Sequence, residues 1–238
     1  MDPFQHHPEL RCKITPPEES FFRDFGIEKL ERLGRDHGLE TGWWYSDAER
    51  EALRAKELAG RMDDDLWVFG YGSLMWNPAF HFAEVRHARI DGYARRFILI
   101  EQRGGRGDRD RPGLMAALDH GPGCDGLVFR IKAAQVETET AILWRREKVS
   151  PGYLTRFVPA RTATGETVEA VTFVADHSVP EIVPDLPRAR QIEYLATGTG
   201  ILGSSADYLR GIVEQFRELG IHDAETEALL ADVEAYGC

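Results

Sequence analysis

Two short stretches of this sequence carry residues whose types and spacing can do chemistry. One is Trp67–Trp76, WVFGYGSLMW, where an apolar run breaks into Gly70-Tyr71-Gly72-Ser73. The other is Leu143–Glu147, LWRRE, followed by Pro151-Gly152-Tyr153. Three chemistries suit the first. A phosphate loop needs GxxxxGK[ST], which is absent. A dinucleotide loop needs a third glycine where Met75 stands, and Trp76 and Pro78 oppose a helix starting at Gly72. A serine nucleophile on a sharp elbow needs glycines where Tyr71 and Met75 stand. The third reading is a ligand cradle. Gly70 and Gly72 let the backbone approach a bound molecule, and amides around Gly72, Ser73 and Leu74 can point at a carboxylate or a developing oxyanion. A plain strand-end turn around a packed Tyr71 accounts for the same residues, and the residues alone leave the two open. Glu147 closes the second stretch. The negative end of a helix dipole and burial both raise a carboxyl pKa, and a raised carboxylate is a better proton acceptor near neutral pH. Arg145 and Arg146 act the other way if they approach it. On residues alone, a surface glutamate in a charge-rich helix end is the favoured reading.

The elements that must position these groups follow from pattern. Residues 1–16 are polar and read as loosely attached. Phe21, Phe22, Phe25, Leu30 and Leu33 recur at helical spacing, interrupted by Gly26 and stopped at Gly38. Ser46 and Glu49 form a capping box for a helix running to about Gly60, and Asp63–Asp65 is a polar break. Residues 1–64 therefore read as an N-terminal helical arm, and 65–238 as the main domain. There, Leu66–Tyr71 predicts a buried strand, and 81–100 one or two strands bending near Asp91-Gly92. Strands are also predicted over 114–118, 126–131, 157–160 and 167–174. Ala133–Glu147 predicts a helix, and 188–236 is helical with a break at 197–205. The loop 103–113, RGGRGDRDRPG, reads as solvated, with a lid over a nearby site as another option. Strands in the centre and helices at both ends make this α+β rather than doubly wound.

Composition excludes several classes. The chain has 238 residues, 42% of them apolar, enough for one large domain. A net charge of -11 argues against non-specific nucleic-acid binding. No apolar run approaches the ~20 residues that span a bilayer, and the N-terminus lacks a secretory h-region. Cys12, Cys124 and Cys238 are dispersed and odd in number, which suits a reducing cytoplasm better than a disulfide framework. No zinc-ligand spacing occurs.

The stretch FGYGSLMWNP resembles the signature of the ChaC-type γ-glutamylcyclotransferase family. The resemblance continues through Arg111-Pro-Gly-Leu114, Gly126–Arg130, LWRRE and Gly152-Tyr153, and weakens in the helical tail, where Ser204-Ser205 stand in place of an Asn-rich turn. It implies a small mixed β-barrel flanked by helices. It also implies cleavage of glutathione to 5-oxoproline and cysteinylglycine, without metal or cofactor. By the same resemblance the γ-glutamyl cradle is Val68, Phe69, Gly70, Tyr71, Gly72, Ser73 and Leu74, and the acid/base is Glu147. Tyr153 either hydrogen-bonds a substrate carboxylate or packs. Partners beyond the small substrate, and the oligomeric state, are not implied. A cyclotransferase for other γ-glutamyl amines, or a non-catalytic regulatory module, stands as the alternative.

Overall fold

In a computed structural model of the chain, residues 2–237 are described. Short 3-10 turns at Pro8–Cys12 and Pro17–Glu19 precede helices α1 (Ile27–His37) and α2 (Asp47–Glu57). Strand β1 (Leu66–Gly70) leads through a 3-10 turn at Ser73–Met75 to β2 (Glu84–Ile90) and β3 (Tyr93–Glu101). Strands β4 (Gly113–His120) and β5 (Cys124–Ile131) follow, then α3 (Ala133–Glu147), β6 (Tyr153–Thr162) and β7 (Thr167–Ala175). Helices α4 (Arg188–Thr197), α5 (Ser205–Leu219) and α6 (Ala224–Glu234) end the chain. Two compact units result. The first is the chain up to Ala94 with His120–Val174; the second is Arg95–Asp119 with the chain from Ala175.

The first unit is a closed barrel. β1 pairs antiparallel with β5, from Leu66↔Ile131 to Gly70↔Leu127. β5 pairs with β2 and β2 with β6, both antiparallel. β6 neighbours β7, and β7 returns parallel to β1 at Trp67↔Ala170 and Val68↔Val171. Five strands thus close on themselves, and closure removes the exposed edges that an open sheet must protect. Val68, Phe69, Val85, Phe129, Val171 and Phe173 are fully buried. Four of the five β1 residues are buried, which is why the strand reads as an unbroken apolar run and not as an alternation. The α+β expectation, with a small barrel flanked by helices, is what the chain forms.

Helix α3 lies outside the barrel, with Trp144 edge-on to Phe173 at 5.4 Å. Its own N-cap, Lys132, offers no side-chain cap. Asp65, from what reads in sequence as a mere polar break, accepts the Ala133 amide at 2.9 Å and does the capping from a distance. Helix α2 packs on this helix. The capping box of α2 is complete: the Glu49 amide donates to Ser46 Oγ at 3.2 Å and the Ser46 amide to Glu49 Oε2 at 2.8 Å. From α2, Arg54 reaches Thr140 Oγ1 at 2.9 Å and pairs with Glu137. Arg50 donates to the Arg145 carbonyl at 3.2 Å, one of the acceptors a helix end leaves open. The helix expected from about Phe21 starts only at Ile27. Gly26, extended at φ -149°, is its N-cap, and Phe21, Phe22 and Phe25 cluster ahead of it with centroids 5.2–5.6 Å apart. Still earlier, the Val85 amide donates to the Pro3 carbonyl at 3.0 Å and the His87 amide to His7 Nε2 at 2.9 Å, so the first residues lie along β2.

In the second unit, β3 and β4 are neighbours and α4, α5 and α6 pack together. The loop after β3 is ordered from within. The Glu101 carboxylate accepts the amides of Arg103, Arg106 and Gly107 at 2.8, 2.5 and 2.8 Å. The Arg106 guanidinium lies over the Tyr208 ring, 5.0 Å from its centroid, and donates to the Ser204 carbonyl at 3.0 Å. Among the described residues, no helix is long and apolar enough to cross a membrane.

Candidate active site

β1 delivers the glycine stretch to one end of the barrel. At Gly72 (φ -135°, ψ -133°) the chain leaves the strand and winds into one 3-10 turn. The Met75 amide closes it on the Gly72 carbonyl at 2.8 Å, and the Asn77 amide follows onto the Ser73 carbonyl at 2.9 Å. The first amides of such a turn have no acceptor within it, so those of Ser73 and Leu74 are oriented together at its mouth. The side chains of Val68, Phe69, Tyr71 and Leu74 are buried. A ligand there would meet their backbone, with Ser73 the more exposed side chain.

Gly70 has a steric task. A Cβ on it would sit 2.9 Å from Leu74 Cβ and 3.5 Å from the Phe129 ring. Neither neighbour is a flexible tip, so Gly70→Ala must push the turn off the strand end. We expect a loss of about 1–3 kcal/mol from such overpacking, read as a lower denaturant midpoint, together with weakened substrate binding.

Glu147 ends α3, and its side chain is recessed, 16% exposed. Burial pushes its carboxyl above the ordinary 4.5; the Arg146 charge and hydrogen bond, and then the Lys148 charge, oppose that rise. Of the two arginines that the sequence sets before Glu147 as charges that could approach it, Arg146 does. Consecutive helical residues point about 100° apart, so a side-by-side Arg146–Glu147 contact is not what helix geometry suggests. At the helix end it forms: Nε meets Glu147 Oε1 at 2.9 Å. The same guanidinium donates through Nη2 to Ser73 Oγ at 2.8 Å and through Nη1 to the Asn77 carbonyl. One buried cation therefore joins the glycine turn to the glutamate across 73 positions of sequence. The glycine turn and the glutamate, read separately in the sequence, are joined by one side chain.

Tyr153 opens β6 beside this end of α3, and its carbonyl accepts from Lys148 Nζ at 2.8 Å. Lys148 in turn pairs with Glu57 at 3.1 Å. Ser20 Oγ donates to Asn77 Oδ1 at 2.6 Å. Neither Ser20 nor Glu57 carries a spacing signal, because each acts on residues more than fifty positions away.

The first unit is thus a closed barrel that carries a glycine turn, a recessed carboxylate and an arginine joining the two. Comparisons with known proteins identify the family. The ChaC-like protein family model matches residues 66–236, and the chain belongs to that family. An Escherichia coli (strain K12) relative, named glutathione-specific gamma-glutamylcyclotransferase, is 35% identical over 196 residues, covering 82% of this chain and 84% of that protein. The human glutathione-specific gamma-glutamylcyclotransferase 1 is 32% identical over 178 residues, 72% of this chain and 78% of that protein. A crystal structure of a yeast gamma-glutamyl cyclotransferase specific to glutathione superposes with a TM-score of 0.65, covering 73% of this chain and 97% of that one. At 21% identity that likeness supports the fold alone.

Proposed function

We propose that this protein is a γ-glutamylcyclotransferase that cleaves glutathione, with Glu147 as the single acid/base. The observation that supports the reading is the Arg146 bridge, which joins a recessed carboxylate to the glycine turn; the carboxylate would accept the proton and the turn's amides would face the oxyanion. The substrate brings its own nucleophile, the α-amine of its γ-glutamyl group. Attack of that nitrogen on the γ-carbonyl carbon forms the lactam bond and a tetrahedral oxyanion; breaking the peptide C–N bond then releases 5-oxoproline and cysteinylglycine. Two protons leave the α-nitrogen, which begins as an ammonium, and two arrive on the cysteinyl nitrogen. One carboxylate that accepts and returns protons is enough. Folding the glutamyl chain back is worth up to ~7–11 kcal/mol as a proximity effect, and each oriented amide at the oxyanion about 3 kcal/mol. Gly70, Tyr71, Gly72, Ser73 and Leu74 cradle the γ-glutamyl part, Val68 and Phe69 support them from the strand, and Tyr153 is a candidate partner for a substrate carboxylate. We place the activity in the cytoplasm, where thiols are kept reduced.

Incubation with millimolar glutathione should yield 5-oxoproline and cysteinylglycine in equal amounts, read by chromatography against standards. Folded protein that leaves glutathione intact but cyclises another γ-glutamyl amine would move the substrate assignment and keep the chemistry. No product from any γ-glutamyl compound would leave a binding module as the reading.

A further inference from the structure

The segment before residue 66 lies outside the family match, yet it touches both cations that flank Glu147. The Phe22 ring lies under Arg146, with the guanidinium carbon 4.4 Å from its centroid. Phe22 is itself anchored: its amide donates to Ser20 Oγ at 3.1 Å, and that hydroxyl donates to Asn77, whose carbonyl also receives Arg146. On the other flank, Glu57 pairs with Lys148 through Oε1. Its Oε2 accepts Trp144 Nε1 at 2.7 Å and Thr155 Oγ1 at 2.8 Å. Glu57 is thus fixed by three donors from α3, the residue after it and β6.

A carboxylate proton affinity that two neighbouring charges lower depends on where those charges are held. The groups on the elements packed at this end of α3 can be named element by element. α3 and its last turn supply Arg146 and Lys148. α2 supplies Glu57, which faces Lys148, and Arg50, which is taken up by Asp47 and the Arg145 carbonyl. β6 supplies Tyr153 and Thr155, and the turn after β1 supplies Ser73.

We propose that Phe22 and Glu57, both from the N-terminal arm, are positioning residues for the reaction: Phe22 holds Arg146 against Glu147, and Glu57 holds Lys148 on itself and on the Tyr153 carbonyl. This rests on the reading of Glu147 as the acid/base. The aromatic face favours a guanidinium lying flat on it, which keeps Nε aimed at Glu147 and Nη2 at Ser73. The Glu57 carboxylate neutralises Lys148, so its charge weakens the base less than a bare ammonium would.

The two contacts act in opposite senses, and that separates positioning from support of the fold. Phe22→Leu frees Arg146, so Glu147 binds its proton more tightly. The acid limb of kcat/KM moves to higher pH, and the rate on that limb falls about three- to tenfold. Glu57→Gln leaves Lys148 uncompensated, so Glu147 becomes a weaker base. The acid limb moves to lower pH, and the plateau falls about three- to tenfold. Phe22→Tyr keeps the aromatic face and restores the wild-type profile. The experiment is the pH profile of these variants together with a titration of Glu147 itself, from difference infrared spectra of each protein against its own Glu147→Gln form. Shifts of opposite sign are the expected result. No shift, or two shifts of the same sign, overturns the proposal. Should Glu57→Gln fail to fold, Glu57→Gln with Lys148→Met removes both charges together, and its Glu147 should titrate at or above the wild-type pH; titration below it overturns the proposal. The infrared titration needs no turnover, so failure of the glutathione reading appears as missing product with the opposite shifts still present. Failure of the positioning role appears as normal cleavage with unmoved titration.

Discussion

Glu147→Gln is expected to bind glutathione and to leave it uncleaved. Glutamine matches the shape of glutamate and can still accept from Arg146 Nε, so the guanidinium that organises Ser73 and Asn77 keeps its place. What is lost is the proton acceptor. Removal of a positioned general base typically costs 10²–10⁴-fold, so kcat should fall by about that factor while KM changes little. Stability should move the other way. Burial raises the Glu147 pKa above 4.5 in the folded chain. A group whose folded pKa is raised helps the fold below its unfolded pKa, and that help disappears as pH rises through the folded value. Above the ordinary carboxylate range this group therefore costs the fold stability, and Gln removes that cost. We expect the variant to be no less stable than wild type near pH 7, and the part of the stability–pH curve set by this group, above the ordinary carboxylate range, to flatten. A variant with near wild-type kcat would place the base elsewhere.

The second large effect is at Arg146. Its side chain is 4% exposed, lies on the Phe22 ring and donates to Glu147, Ser73 and the Asn77 carbonyl. Arg146→Met strands all three. Breaking a buried charge pair from one side costs about 3–5 kcal/mol, and Glu147, without its nearest cation, should take up its proton at still higher pH. We expect activity near neutral pH to fall at least as far as in Glu147→Gln, with a clear drop in melting temperature. Arg146→Lys distinguishes charge from geometry. Lysine keeps the cation but not the planar fork that reaches Ser73 and Glu147 together. The account predicts that it recovers much of the stability and little of the rate. Full recovery of rate by lysine would mean that charge alone matters there.

Much of this was legible in the chain because local signals agree with the fold. The box at Ser46 and Glu49, the helix over Ala133–Glu147 and the bend at Gly92 (φ 82°) each rest on residues a few positions apart. The glycine turn was legible as a strand end, and the resemblance tied it to Glu147. Other features had no local trace. Asp65 caps a helix 68 positions on, and Glu57 meets Lys148 across 91. Arg146 sat in plain view beside Glu147 as a charge that could approach it, but nothing in the spacing shows that its guanidinium also reaches Ser73 and Asn77. The segment before β1 is helical as its pattern implies, but pattern alone carries nothing about its hold on α3, because Phe22 and Arg54 spend their side chains on partners far along the chain.

Whether the substrate's own amine or water cleaves the γ-glutamyl bond is read from cleavage of glutathione in water enriched in ¹⁸O, with both products weighed by mass spectrometry. Attack by the amine predicts 5-oxoproline and cysteinylglycine in equal amounts, neither carrying the label. Glutamate bearing one ¹⁸O in its γ-carboxyl, in place of unlabelled 5-oxoproline, would contradict the account and make the protein a hydrolase.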